Sequence, residues 1–131
     1  MACGCLESAR VLDVCEGKGD PFLRDACYME YGVMANDSSL CASIKSANSK
    51  LFCNTIVSGD VSGCEKINAT VDSRHACYAY AGRNPAECDK IKVNETRVNC
   101  YKTFILMNTD AGNCQKFTDE TYKNLCEKKF T

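Results

Sequence analysis

The sequence lacks features that several large classes of protein require. Tryptophan is absent, histidine occurs once, and proline occurs twice in 131 residues. The longest run of aliphatic and aromatic residues is 104–107, whereas a membrane-spanning helix needs about 20 apolar residues. Basic and acidic residues nearly balance, and the formal net charge is −1, so no excess of positive charge favours nucleic acid or an anionic membrane. We therefore expect neither a membrane span nor a nucleic-acid-binding protein.

Residues typical of catalytic and metal sites are also few. The one histidine, His75, lies two residues before a cysteine, and no nucleophile pattern surrounds it. We interpret it as an ordinary helix-face residue rather than a catalytic base. No Cys-x₂-Cys pair, phosphate-binding glycine loop or calcium-binding loop is found, and these are the patterns that metal and nucleotide sites require. The sequence thus predicts no enzyme, no cofactor and no metal site.

Cysteine, by contrast, is abundant, with twelve residues in the chain. Such density is typical of disulfide-framed secreted proteins, because disulfides persist in oxidising compartments. Residues 1–30 contain no signal-peptide pattern, so we expect a mature extracellular or cell-envelope chain from which an export signal was removed. In an alternative, Cys3 or Cys5 is the lipidated cysteine of a lipoprotein. Three Asn-x-Ser/Thr motifs also favour a surface glycoprotein, at Asn36, Asn68 and Asn94.

The cysteines from Cys15 onward follow an internal repeat. Intervals of 11 or 12 intervening residues alternate with intervals of 10 or 13. This alternation predicts a single domain of about five repeats, with approximate bounds 1–34, 35–58, 59–82, 83–108 and 109–131.

Three other positions share the register of the repeat. A basic residue lies three positions before every second cysteine, at Arg24, Lys50, Arg74, Arg97 and Lys123. Residues that cap helix N-termini lie four positions before the first cysteine of the last four repeats, at Asp37, Asp60, Asn84 and Asp110. Three positions after that cysteine, on the same helix face, lie Ile44, Ile67, Ile91 and Phe117.

This register predicts two short helices in each repeat. Asp20 followed by Pro21 marks the start of the second helix in the first repeat, and polar stretches at 46–48 and 68–72 are expected to be turns. Continuous alternation of apolar and polar residues, typical of strands, is absent. We therefore predict an all-α fold in which disulfide-stapled helical hairpins form a short α-solenoid. Five isoleucines are expected to pack between repeats, together with the tyrosines. They are Ile44, Ile56, Ile67, Ile91 and Ile105.

The symmetry of a hairpin favours one disulfide within each repeat, since residues equally far from an antiparallel turn face each other. The predicted pairs are Cys15–Cys27, Cys41–Cys53, Cys64–Cys77, Cys88–Cys100 and Cys114–Cys126. The alternative joins successive repeats across the longer spacers, as in Cys27–Cys41. Helices this short are marginal alone, so covalent closure is expected to replace part of a hydrophobic core. Cys3 and Cys5 remain to bond with each other or with a neighbouring molecule.

The pattern Cys-x-x-Ile followed by Arg/Lys-x-x-Cys-Tyr occurs at Cys64–Ile67 and Arg74–Tyr78. It resembles the cysteine-rich helical-hairpin repeats of archaeal and bacterial cell-envelope proteins. It is more loosely similar to Sel1-like and tetratricopeptide-like solenoids, whose disulfide-bearing members are secreted. The resemblance implies an exported protein with a binding or structural role.

The five bases at the repeat position are the main candidate for ligand binding. They could form a stripe that matches a repetitive anionic ligand such as an acidic glycan. In the alternative, each base packs over its own hairpin or pairs with an acid such as Glu95 or Asp119 on a solvated face, and we favour that interpretation.

Three hypotheses for function follow. The preferred one is a non-enzymatic exported helical-repeat protein that acts as a structural or binding surface at the cell envelope, with a protein or acidic glycan as partner. The second is a subunit of a self-assembling extracellular filament, in which stacking of copies continues the solenoid. The third is a secreted disulfide-rich effector or inhibitor.

Overall fold

The computed structural model describes residues 13–67 and 70–131, and within these ranges the chain is helical and contains no strand. The predicted all-α fold is confirmed. Three 3₁₀ helices lie at Val61–Lys66, Pro85–Lys90 and Ala111–Lys116, and residues 13–16 form a further helical turn. The α-helices of the described ranges, numbered α1 to α6 in chain order, are Pro21–Ala35, Ser38–Ala42, Ala47–Ser58, Val71–Ala81, Asn94–Met107 and Glu120–Lys128.

The last four repeats each begin with a short helix that contains the first cysteine. The predicted capping residues are confirmed, since each side chain accepts a hydrogen bond from the amide two positions later, as Asp37 does from Ser39 over 2.9 Å. The prediction of α-helix is wrong for the last three of these segments, which are 3₁₀ helices of six residues. The amide of the residue after each of these helices donates to the carbonyl oxygen three positions before it. The Ile91 amide, for example, donates to the Cys88 carbonyl over 3.1 Å. Bonds between an amide and the carbonyl three positions before it define the 3₁₀ helix.

The second helix of each repeat is longer and contains the second cysteine. In the first repeat Asp20 caps α1 by accepting from the amides of Phe22 and Leu23, and Pro21 is the first helical residue, as predicted. The predicted turns at 46–48 and 68–72 are wrong in part. Helix α3 begins at Ala47, and α4 begins at Val71 because the Thr70 hydroxyl caps the Ser73 amide.

Each of the five repeats contains one disulfide, which joins its first half to its second half. The Cα–Cα distances of these disulfides lie between 5.5 and 5.7 Å, and all ten cysteines are buried. This is the pairing that hairpin symmetry favours, and bridges across the longer spacers, such as Cys27–Cys41, are not formed. Cys3 and Cys5 lie outside the described residues. The bridges found are Cys15–Cys27, Cys41–Cys53, Cys64–Cys77, Cys88–Cys100 and Cys114–Cys126.

The chain divides into two compact units, one ending at Ser58 and the other beginning at Gly59. The division coincides with the predicted boundary between the second and third repeats, and the single domain stays a prediction. In the first unit, Tyr28, Leu40 and Ile44 pack around the disulfides. In the second unit, other buried side chains surround the three disulfides. Those that the repeat register placed in the core include Ile67, Ile91 and Phe117, whereas Ile105 is only half-buried.

Carboxylates connect successive repeats within each compact unit. The side chain of Asp25 accepts hydrogen bonds from the amides of Lys45 and Ser46, both over 3.0 Å, at the start of α3. Asp72 accepts from the amides of Lys92 and Val93 over 3.0 and 3.2 Å, at the start of α5. Each acid therefore holds the two residues that lead into the second helix of the following repeat, and so ties that segment to its own helix.

Candidate functional site

The residues that follow the two cysteines of a repeat face each other across the disulfide. In the first repeat, the Tyr28 hydroxyl donates to Glu16 Oε1 over 2.6 Å. In the fourth repeat, Tyr101 donates to Asp89 in the same way. In the fifth, the positions hold Gln115 and Glu127, and the amide nitrogen of the former donates to the carboxylate of the latter over 2.9 Å. This pair of positions therefore forms a polar contact at one edge of the hairpin in the first, fourth and fifth repeats.

The third repeat has an acid and a tyrosine at the same positions, but they are not bonded to each other in the described part of the chain. The residues are Glu65 and Tyr78. The disulfide of this repeat spans 13 positions, whereas those of the first and fourth span 12. The third repeat therefore has one more residue between its two cysteines than the repeats in which this bond forms.

The unbonded pair lines a groove in the second compact unit. The groove has a volume of about 390 Å³ and is open to solvent. The 3₁₀ helix Val61–Lys66 and helix α4 form one side of it, and the 3₁₀ helix Pro85–Lys90 forms the other. The lining residues are Val61, Glu65, His75, Tyr78, Gly82, Asn84, Glu87 and Lys90.

Glycine at position 82 allows the end of α4 to lie close to Val61. A Cβ atom added there would lie 2.7 Å from the backbone oxygen of Tyr78 and 3.2 Å from Val61 Cγ1. The corresponding residue of the fourth repeat, five positions after the second cysteine, is Ile105. The third repeat therefore has no side chain at a position where the next repeat carries a large one.

Charged groups and two aromatic rings lie together in the groove. Lys90 Nζ donates to Glu87 Oε1 over 3.0 Å, and His75 Nδ1 lies 3.4 Å from Glu87 Oε2. The rings of His75 and Tyr78 are 6.4 Å apart between centroids. The structure thus places the only histidine in the groove, whereas the sequence assigned it no site. That it has no catalytic role stays a prediction.

The equivalent tyrosine of the fourth repeat is covered by the fifth repeat. Tyr101 is 7% exposed and stacks on Tyr122 with 4.6 Å between ring centroids. Its partner Asp89 also accepts a hydrogen bond from the Thr118 hydroxyl. Burial, followed by the hydrogen bond and charge of Asp89, raises the pKa of Tyr101. The tyrosine is thus buried and bonded to its acid in the fourth repeat, whereas in the third repeat it is half-buried and not bonded to its acid.

The five bases proposed as a ligand stripe are each half-buried. Arg97 donates to the carbonyl of Ile91 over 2.9 Å and to Asn94 Oδ1 over 2.7 Å, rather than to Glu95. Lys123 lies 3.6 Å from Glu120, rather than on Asp119. These contacts agree with bases that pack over their own hairpins. Their use as a ligand stripe stays a prediction for the whole set, Arg24, Lys50, Arg74, Arg97 and Lys123.

Two of the three predicted glycosylation sites lie in the described part of the chain, and both are exposed. Asn36 ends α1 in the left-handed conformation, with φ 53°. Asn94 is the first residue of α5 and accepts a hydrogen bond from Arg97. Asn68 lies outside the described residues. Glycosylation of these sites stays a prediction.

Fold and groove together define a class of protein, an all-α chain of disulfide-stapled helical hairpins with an open polar groove between its third and fourth repeats. No family model, no curated protein and no solved structure matches the chain. The likeness to cell-envelope repeat proteins stays a prediction. Among the described residues, no helix is both long and apolar enough to cross a membrane, and no cluster of three or more side chains is placed to hold a metal ion.

Proposed function

We propose that this is an exported, non-enzymatic helical-repeat protein that offers a binding surface to a protein partner at the cell envelope. The observation that carries the proposal is the set of five buried disulfides, one in every repeat. Disulfides form and persist outside the reducing cytosol. A chain whose every repeat depends on one is suited to the cell surface or the extracellular space.

The shortness of the helices supports the dependence of the fold on its disulfides. The short helices have five or six residues, and isolated helices of that length are not stable in water. Closing a loop of this size contributes about 3 kcal/mol by restricting the unfolded chain. Reduction of all five bridges would remove a large part of the stability of a domain of ordinary size, so the folded protein requires an oxidising location.

A binding role is supported by the groove of the third repeat. It combines the half-buried ring of Tyr78 with several charged side chains, and binding sites commonly join aromatic surface to a few polar groups. A protein partner is favoured over an acidic glycan, because all five bases of the repeat position are half-buried and two of them, Arg97 and Lys123, are engaged within their own hairpins. Glycosylation at exposed asparagines is part of the same proposal.

The fifth repeat favours a discrete protein over a filament. Where the fourth repeat presents Asp89 and Tyr101 to its neighbour, the fifth presents Gln115 and Glu127, bonded to each other. Stacking another copy there would bury the charge of Glu127 without a cationic partner of its own repeat.

Location and redox state in the producing cells test the proposal together. We expect antibodies to label intact cells or their medium, and we expect the protein to resist a thiol-alkylating reagent at its ten repeat cysteines. Protein found in the cytosol with alkylated cysteines would contradict the proposal. Lysed cells alkylated before denaturation serve as the control for access of the reagent.

A further inference from the structure

We infer that the groove of the third repeat binds a cationic group, either a primary ammonium or a guanidinium. A lysine or arginine side chain of a partner, or a free amine, would supply it. The inference rests on the proposed binding role and names the chemistry of its ligand. It is carried by the relationship between Glu65 and Tyr78.

The same two positions show what this pair does when it is closed. Where Tyr28 bonds Glu16, and where Tyr101 bonds Asp89, the tyrosine hydroxyl satisfies the carboxylate within the repeat. In the third repeat Glu65 and Tyr78 are not bonded to each other, and both residues line the groove, Glu65 exposed and Tyr78 half-buried. A ligand that donates to the carboxylate and contacts the phenol would supply the interaction that the other repeats make internally. An ammonium or guanidinium is such a donor, and its hydrogen bonds to a carboxylate are charge-assisted.

The charges that face the groove favour a cation. Its sides carry the two carboxylates of Glu65 and Glu87 against the single ammonium of Lys90, with the imidazole of His75 beside them. Lys90 is already held by Glu87 at 3.0 Å, so the carboxylate left for a ligand is that of Glu65. An anionic ligand would bring its charge towards two acids and have only an engaged lysine as a partner.

Ring positions support the same assignment. Tyr78 and His75 lie one helical turn apart on α4, with 6.4 Å between their ring centroids, and both are half-buried. The face of an aromatic ring attracts cations, most strongly where water is partly excluded. The volume of about 390 Å³ accommodates one extended side chain, and sites for small ligands begin at about 300 Å³.

The test is an amide proton–nitrogen correlation titration of the oxidised full chain. The probes are N-acetyl-lysine amide and N-acetyl-arginine amide, with putrescine as the free amine and N-acetyl-aspartate amide as the anionic control. We expect saturable shifts at groove residues with the cations and none with the anion. Tighter binding of the capped amino acids assigns the cation to a protein partner, and tighter binding of putrescine assigns it to a free amine.

Variants separate the groove from general charge effects. Glu65→Gln and Tyr78→Phe are each expected to weaken cation binding at least about fivefold. Glu95→Gln removes the same charge from an exposed position of α5 outside the groove and is expected to leave binding unchanged. Each variant is compared only after its spectrum and its five disulfides match the parent, and Tyr78→Phe alone carries the test if Glu65→Gln does not fold.

Two results would overturn the inference. One is the absence of groove shifts with every cation, and the other is equal binding by the parent and both groove variants. Either result leaves the cell-surface location untouched, because that is measured by labelling of intact cells. Conversely, a cytosolic, reduced protein would contradict the proposed function whatever the groove binds.

Discussion

Tyr28 donates its hydroxyl hydrogen to Glu16 Oε1 over 2.6 Å, next to the disulfide that joins Cys15 and Cys27. The tyrosine side chain has no exposed surface. Burial, together with the hydrogen bond and the charge of Glu16, raises its pKa to about 12 from an ordinary 10.0. Its neutral form therefore stabilises the fold at every pH below the ordinary value, and this contribution is lost as the pH rises through about 12.

This pKa predicts delayed ionisation of Tyr28 in the native protein. In a spectrophotometric titration, we expect Tyr28→Phe to remove one tyrosinate transition from the region near pH 12. Glu16→Gln should move that transition to lower pH, because it removes a negative charge from beside the phenolate. Glu30→Gln, which changes an exposed acid on the same helix, serves as the control. A transition that Tyr28→Phe leaves unchanged would show that the hydroxyl is not held as described.

Asp25 is expected to stabilise the second repeat through its two amide bonds. Burial alone would raise the pKa of Asp25, but the amides of Lys45 and Ser46 and the nearby Arg24 outweigh it, so the pKa lies below 3.8. The contribution is therefore present above 3.8 and lost as the pH falls through the lowered value. We predict that Asp25→Asn lowers the free energy of unfolding at neutral pH by about 1–2 kcal/mol.

Urea unfolding at several pH values measures this difference. The gap between the parent and Asp25→Asn should narrow as the pH falls below 3.8, where the parent carboxylate begins to protonate. Asp72→Asn is expected to show the same pH trend for the fourth repeat, because its carboxylate accepts from the amides of Lys92 and Val93 and its pKa is likewise lowered. A difference in unfolding free energy that does not change with pH would mean that the charge of Asp25 does not stabilise its contact with the amides of Lys45 and Ser46.

The disulfides of different repeats are expected to contribute similar stability. The Cys41–Cys53 and Cys88–Cys100 bridges both close loops of sequence separation 12. Replacing either pair with alanine should therefore lower the free energy of unfolding by about 3 kcal/mol, since the restriction of the unfolded chain depends on loop length. Chemical unfolding of the two double variants measures it. A loss near zero for either pair would contradict the view that the bridge stabilises its hairpin.

Lys129 is expected to stabilise the end of α5. Its ammonium donates to the carbonyls of Ile105 and Leu106 over 2.8 and 2.9 Å, and also to that of Asn108. A cation at a helix C-terminus satisfies carbonyls that the helix leaves free, so Lys129→Met should lower stability by about 1 kcal/mol.

The neighbouring Lys128 provides a matched control for that variant. Lys128 is exposed, and Lys128→Met removes the same charge and leaves the three carbonyl contacts intact. Thermal unfolding of the two variants, followed by circular dichroism, compares them directly. Equal melting temperatures would mean that the bonds of Lys129 contribute no more than its charge.

The sequence predicted the hairpins because their signals are local and repeat. Capping residues such as Asp37 and Asp60, and the cysteines four positions later, occur at fixed spacing, so each hairpin shows the pattern independently. The choice between α- and 3₁₀-helix did not follow, because it depends on how a segment of six residues meets the next helix. The amide bonds of Asp25 and Asp72 were also missed, since their partners lie at least 20 positions away in the sequence.

The groove was not predicted because it arises from exceptions to the repeat. Two signals were present in the sequence, the longer interval between Cys64 and Cys77 and the glycine at position 82. Their effect depends on the offset between two helices and on the distance from Gly82 to the Tyr78 carbonyl. Such distances are set by packing, and the spacing of residue types does not encode them.

Mapping the disulfides of the purified, non-reduced protein tests the central claim most directly. Digestion under non-reducing conditions and mass spectrometry of the linked peptides should identify five bridges, each between the two cysteines of one repeat. Peptides that join Cys27 to Cys41 or Cys53 to Cys64, or free thiols in a protein that keeps its helical spectrum, would contradict it.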